Sequence, residues 1–170
     1  MEKHPFIKAD DVVVDLGAAP GGWTQASRKI VGEKGFVLGV DLKPVEPIGL
    51  SNVRTITADI TDSQTIQQIR KLLPRSADAV VSDVSPNISG IWELDHARQI
   101  DLAQKSLRIA VSVLKPGGNF FVKAFQGDML HDFLRQMKFH FAFVKFIKPK
   151  ASRARSAEVY VLGMNLRRVE

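Results

Sequence analysis

Asp15-Leu16-Gly17-Ala18-Ala19-Pro20-Gly21-Gly22-Trp23 constrains this chain more than any other stretch. It follows the apolar run Val12-Val13-Val14, which predicts a buried strand. It precedes Thr24 to Val31, which lack Gly and Pro and predict a helix. A strand, a glycine-rich turn and a helix N-terminus form the usual ligand-bearing corner of a doubly wound sheet. Gly17 permits a tight turn, while Gly21 and Gly22 leave the backbone open to a ligand. The spacing argues against phosphate ligands. A dinucleotide fingerprint wants glycines at its first, third and sixth positions, whereas here they stand at the first, fifth and sixth. No Gly-Lys-Ser/Thr follows, so the phosphate-cradling loop of nucleotide hydrolases is absent.

Carboxylates take the place of phosphate chemistry. Asp15 ends the first strand, Asp41 ends Phe36 to Val40, Asp59 closes Val53 to Ala58 and Asp83 closes Ala79 to Ser82. Four strand-end aspartates near one edge of a sheet suit a ligand with a ribose, an amino-purine and positive charge. S-adenosylmethionine has those features, and Asp41 stands at about the right distance downstream to bond a ribose diol. Any one of these aspartates could equally be a helix cap or turn former.

The remaining segments alternate strand and helix. Phe36 to Asp41, Val53 to Ala58 and Ala79 to Asp83 predict strands, and Asp62 to Leu73 predicts a helix capped by Asp62. Asp95 to Leu114 predicts a long helix, stopped by a Lys115-Pro116-Gly117-Gly118 turn into a fifth strand, Asn119 to Ala124. A helix over Met129 to Met137 follows, then strands over Phe139 to Ile147 and Val159 to Leu162. The expectation is one α/β domain over residues 1–170. Its sheet would be mostly parallel, with one antiparallel strand near the C-terminus and helices on both faces. The 45% hydrophobic content fits one sizeable core, and the lack of cysteine excludes a disulfide framework or a thiolate site. His4, His96, His131 and His140 lack metal-ligand spacing, so no metal is expected. With no signal core or membrane-length apolar run, a cytoplasmic chain without a membrane partner is expected. The net charge of +6 favours a polyanionic partner.

Four motifs, taken together and in order, carry a resemblance. They are the glycine-loop stretch, Ser82-Asp83-Val84-Ser85-Pro86-Asn87, Phe121-Val122-Lys123-Ala124-Phe125-Gln126-Gly127, and Ser152-Arg153-Ala154-Arg155-Ser156-Ala157-Glu158-Val159-Tyr160. They resemble the FtsJ/RrmJ-type ribose 2'-O-methyltransferases, which act on ribosomal RNA and have relatives acting on transfer RNA. The resemblance implies the Rossmann-like S-adenosylmethionine-dependent methyltransferase fold, with a seven-stranded sheet whose last strand is antiparallel. It implies Gly17, Gly21, Trp23, Asp41, Asp59 and Asp83 as cofactor-binding residues. The family's Lys-Asp-Lys-Glu tetrad maps its last three members onto Asp83, Lys123 and Glu158. Its first lysine lies on a segment ahead of the glycine loop. Neither Lys3 nor Lys8 has the matching context, so either that N-terminal segment is missing or the chain works with three of the four.

A ribose 2'-hydroxyl is a poor nucleophile, so transfer needs its proton removed or its oxygen aligned with the methyl group. The resemblance makes Lys123 the base, with Asp83 and Glu158 orienting it. On spacing alone Lys123 reads as a strand-end salt bridge to Glu158. Trp23 reads as a core aromatic or as a wall of the cofactor site, and Tyr160 as stacking or packing. Lys145, Lys148, Lys150, Arg153 and Arg155 fall within eleven residues just before Glu158. Their place beside the site predicts a phosphate-contacting rim, with Lys148, Arg153 and Arg155 as RNA-binding residues. The expected activity is 2'-O-methylation of a uridine in large-subunit ribosomal RNA by a monomer. Another RNA such as transfer RNA, or a silent RNA-binding module that keeps the cofactor pocket, are the alternatives.

Overall fold

Val12, Val13 and Val14 point alternately to opposite faces of β1 (Val12–Leu16), and all three are buried. A strand buried on both sides needs layers on both sides. The computed structural model of the chain describes residues 5–148 and 157–168 and supplies those layers. After β1 come α1 (Gly22–Val31), β2 (Phe36–Asp41), β3 (Val53–Thr57), α2 (Thr65–Leu72) and β4 (Ala77–Ser82). Then follow α3 (Trp92–Val113), β5 (Leu114–Phe125), α4 (Leu130–His140), β6 (Phe141–Ile147) and β7 (Glu158–Leu166). Val12 and Val14 join a core formed with Ile69 of α2, Ile100 and Leu107 of α3, and Phe133 of α4. Val13 joins the opposite core, with Phe6, Ile7, Val31 of α1 and Phe121 of β5.

The seven strands run in the order β3-β2-β1-β4-β5-β7-β6. β7 is antiparallel to both β5 and β6, and the other neighbouring pairs are parallel. The expected Rossmann-like methyltransferase topology is therefore present. Strand order reverses between β1 and β4, so the crevice beyond their carboxyl ends is the natural ligand position.

Several boundaries differ from the sequence reading. Asp62 does not cap α2; its Oδ1 accepts the Gln64 N–H at 2.9 Å, making a turn ahead of the helix, and Gln64 occupies the cap position. α3 begins at Trp92 rather than Asp95. The buried Asp95 reaches back to accept the Ser89 N–H (2.9 Å), the Ser89 hydroxyl (2.8 Å) and the Gly90 N–H (3.2 Å). These bonds, the Ser89 N–H foremost, hold the Asp95 carboxyl below its usual range. Lys115 to Gly118 is not a free turn but the irregular start of β5, where pairing to β4 jumps from Ala77↔Leu114 to Ala79↔Asn119. α4 runs on to His140, so Phe139 is helical and β6 starts at Phe141; β7 extends to Leu166. Among the described residues no helix is long and apolar enough to cross a membrane. No group of His, Asp and Glu among them could hold a metal ion.

Candidate active site

The turn after β1 is held from beneath. Gly17 has φ 78°, and its N–H donates to the Val40 carbonyl at 2.8 Å. A Cβ there would lie 3.0 Å from the Val84 side chain and 3.2 Å from its backbone, so the position excludes any larger residue. Gly21, at φ 123°, forms the cap of α1, whose first turn carries no acidic side chain. Nothing lies within 4 Å of a Cβ built on Gly22. The helix N-terminus therefore opens onto space rather than onto protein.

Asp41 clasps this turn from the end of β2. Its Oδ2 accepts the Ala19 N–H and its Oδ1 the Lys43 N–H, both at 2.9 Å. Asp59, exposed beyond β3, accepts the N–H and hydroxyl of Thr61 at 2.8 and 2.7 Å. Those two bonds, the backbone one first, hold its carboxyl below the usual range. Asp41 and Asp59 thus stand as carboxylates at the ends of adjacent strands. Asp15 does not join them. It is wholly buried, its Oδ2 accepts the Thr24 hydroxyl at 2.7 Å, and Oδ1 has no protein partner. Burial pushes its carboxyl up to about 7, against the Thr24 bond, and the charges of Asp83 and Asp41 add to the rise. Asp15 is a buried prop beneath α1, not part of a ligand-facing edge.

On the other side of the reversal, three strand ends bring charged side chains together. Lys123 of β5 has only 8% of its side chain exposed. Its Nζ lies 3.4 Å from Asp83 Oδ1, after β4, and 4.0 Å from Glu158 Oε1, at the start of β7. It also hydrogen-bonds the Ser85 hydroxyl. Asp83 links the two sides of the crevice. Its Oδ2 accepts the Trp23 indole N–H at 3.3 Å and its Oδ1 the Tyr160 hydroxyl at 3.2 Å. Trp23 and Tyr160 both flank Phe121, at ring-centroid distances of 5.5 and 4.8 Å. Trp23 is thus both a packed aromatic and a polar contact of the site. Burial, then the neighbouring Asp83, pushes the Tyr160 phenol above its ordinary pKa, so it remains a donor.

The structure brings Asp83, Lys123 and Glu158 together and sets Gly17, Gly21, Trp23 and Asp41 beside them. Ser85 has no assigned role in the sequence, and Tyr160 reads there only as stacking or packing; it does stack, on Phe121. Two signals pointed to them: Ser85 lies in the motif after β4, and Tyr160 stands two residues after Glu158, on the same face of a strand. Ile147 pairs with Tyr160, so the exposed Lys148 leaves β6 at the site's rim. Lys150, Arg153 and Arg155 lie outside the described residues. The donor set fits an S-adenosyl ligand: an unobstructed helix N-terminus, two strand-end carboxylates for hydroxyl and amino groups, an indole, and no phosphate-binding lysine in the loop.

The model of the FtsJ-like methyltransferase family matches residues 1–166. A protein of Methanocaldococcus jannaschii named ribosomal RNA large subunit methyltransferase E is 51% identical over 165 residues, covering 95% of this chain and 67% of the relative. The protein of that name from Methanothrix thermoacetophila is also 51% identical over 165 residues, with coverage of 97% and 63%. The chain thus spans about two thirds of the length of these relatives. In structure it superposes on a Plasmodium falciparum chain described as a ribosomal RNA methyltransferase. That match has a TM-score of 0.84 at 23% identity, over 97% of this chain and 91% of the other. The Methanococcus jannaschii fibrillarin pre-rRNA processing protein matches with a TM-score of 0.69 at 18% identity, over 98% and 71%.

Proposed function

This chain belongs to the FtsJ-like methyltransferase family, and from that membership we propose that it is an S-adenosylmethionine-dependent RNA ribose 2'-O-methyltransferase acting on a uridine of large-subunit ribosomal RNA. The observation that carries the reading is the convergence of Lys123, Asp83 and Glu158 from three strand ends, tied through Asp83 to Trp23 beside the glycine turn. A salt bridge serving the fold alone would not need that link. The names of the relatives support the choice of RNA.

Gly21, Gly22, Trp23, Asp41 and Asp59 would hold the cofactor, with the backbone open at the two glycines and a carboxylate at each of two strand ends. S-adenosylmethionine would supply an electrophilic methyl group there. In its neutral, deprotonated form Lys123 Nζ would accept the proton of the ribose 2'-hydroxyl. Asp83 and Glu158 fix the direction of the Lys123 side chain, and Ser85 and Tyr160 complete its surroundings. Lys148, with Arg153 and Arg155, contacts phosphates and so positions RNA without reading its sequence.

The test is transfer of a tritiated methyl group from S-adenosylmethionine to large-subunit ribosomal RNA, with nuclease digestion and nucleoside mapping. A labelled 2'-O-methyluridine is expected. Label on a base, or on transfer RNA alone, would overturn the substrate, and RNA binding with no transfer to any RNA would return the chain to a silent binding module.

A further inference from the structure

Trp92 opens α3 with 46% of its surface exposed, yet it is not loosely held. Its ring lies nearly parallel to Phe125, at 6.1 Å and 19°, and to His96, at 5.5 Å and 18°. His96 is itself buried and fixed, since its Nε2 accepts the Met129 N–H at 3.1 Å. The loop leading into Trp92 is fixed by the bonds of Asp95 to Ser89 and Gly90. Phe125 pairs directly with Glu158 across β5 and β7, and Lys123 pairs with Tyr160 two residues along, on the same face. The aromatic stack therefore adjoins the candidate active site along β5. Ile88 (66% exposed), Ile91 (57%) and Met129 (42%) add exposed apolar side chains from the same loop, the start of α3 and the approach to α4.

A planar ring held rigid, half open to solvent and bordered by apolar side chains meets the requirements for stacking an unpaired nucleobase. Stacking is tolerant of base identity, because every base presents a π-face. The net charge of +6 is compatible with a polyanionic strand. We infer that Trp92, backed by Phe125 and His96, is a platform that stacks an unpaired base of the RNA next to the nucleotide whose ribose meets Lys123. The inference rests on the RNA reading above and adds a site to it. Trp92 grips the strand by a base, whereas the basic rim grips it by phosphates.

The experiment measures binding of two labelled strands by fluorescence anisotropy at one salt concentration: a short oligouridylate, and a strand of equal length and charge whose bases are replaced by hydrogen. Trp92→Ala should weaken oligouridylate binding roughly tenfold and leave the baseless strand unchanged. Trp92→Phe should retain most of the affinity, and Trp92→Leu, which keeps apolar bulk without a stacking face, should behave like the alanine variant. S-adenosylmethionine affinity should match the wild type in all three, which also shows that they fold. Equal losses on both strands, no loss on either, or a leucine variant as good as wild type would overturn the platform, the second of these leaving the patch to a protein partner. Failure of the wild-type protein to bind either strand would instead overturn the RNA reading beneath it.

Discussion

Two aspartates on adjacent strands, Asp78 and Asp15, sit near opposite ends of the sheet, and both are buried. Asp78, at the amino end of β4, accepts the Val12 N–H at 2.7 Å and pairs with Arg75 at 2.7 Å and Lys115 at 2.6 Å. Burial alone would raise its carboxyl, but these partners, Lys115 foremost, outweigh it and hold the group below its usual range. Asp15, near the carboxyl end of β1, has one hydrogen bond from Thr24, an unpartnered oxygen and a carboxyl pushed up to about 7. The amino end of the sheet neutralises its charge and closes. The carboxyl end keeps several carboxylates close together with few cations among them. Desolvation and like charge shift ionisation most where a ligand is to be met. A ligand carrying positive charge would relieve that end, which accords with the proposed cofactor.

The largest expected effect that sharpens this contrast is on stability. Asp78→Ala leaves Arg75 and Lys115 without their shared partner and the Val12 N–H unpaired. It should cost about 3 kcal/mol in urea unfolding while cofactor affinity stays unchanged. A loss well under this would mean that the amino end is not anchored by its charges.

Asp15 should show the opposite pH dependence. Its folded pKa lies above the unfolded value of 3.8, so its contribution is full below about pH 4 and is lost as pH rises through about 7. Wild-type stability should therefore lose about 2–3 kcal/mol from this group between about pH 5 and pH 8. Asp15→Asn keeps an acceptor for Thr24 and removes the charge, so its denaturation midpoint should stay flatter over that range. Parallel curves for the two proteins would put the titration elsewhere. Asp78, held low, contributes stability above its unfolded pKa that disappears only as pH falls through its folded one.

The smallest effect is expected at Tyr160. Tyr160→Phe keeps the stack on Phe121 and removes the bond to Asp83, worth about 1 kcal/mol. Methyl transfer should slow by a few-fold at saturating cofactor, with the melting temperature lowered by about 2–4 °C. An unaltered rate would reduce Tyr160 to packing.

The sheet and its ligand end were legible in the sequence because their signals are local. Val12-Val13-Val14 and Phe36 to Val40 announce buried strands, and the glycines after Leu16 announce the turn. What was not legible depends on partners distant in sequence. Asp15 and Asp83 look alike as strand-end aspartates. Yet Asp15 still pairs within the β1–β4 ladder, while the Asp83 N–H reaches the Leu16 carbonyl beyond its last pair, and that step in depth separates a buried side chain from one 32% exposed. The start of α3 at Trp92 was hidden because its stabilising carboxylate, Asp95, lies inside the helix rather than at its cap. Tyr160 meets Asp83 only through the β5–β7 register, which no local pattern encodes.

In the proposed mechanism Lys123 acts on the nucleophile while the glycine turn and its carboxylates hold the cofactor. Single-turnover methyl transfer by Lys123→Ala at saturating S-adenosylmethionine, with calorimetry of cofactor binding on the same sample, tests it directly. The expected rate is lower by on the order of a thousandfold, with cofactor affinity close to wild type and no recovery in Lys123→Arg, whose guanidinium does not give up its proton. Transfer at the wild-type rate in Lys123→Ala, or a loss confined to cofactor affinity, would contradict it.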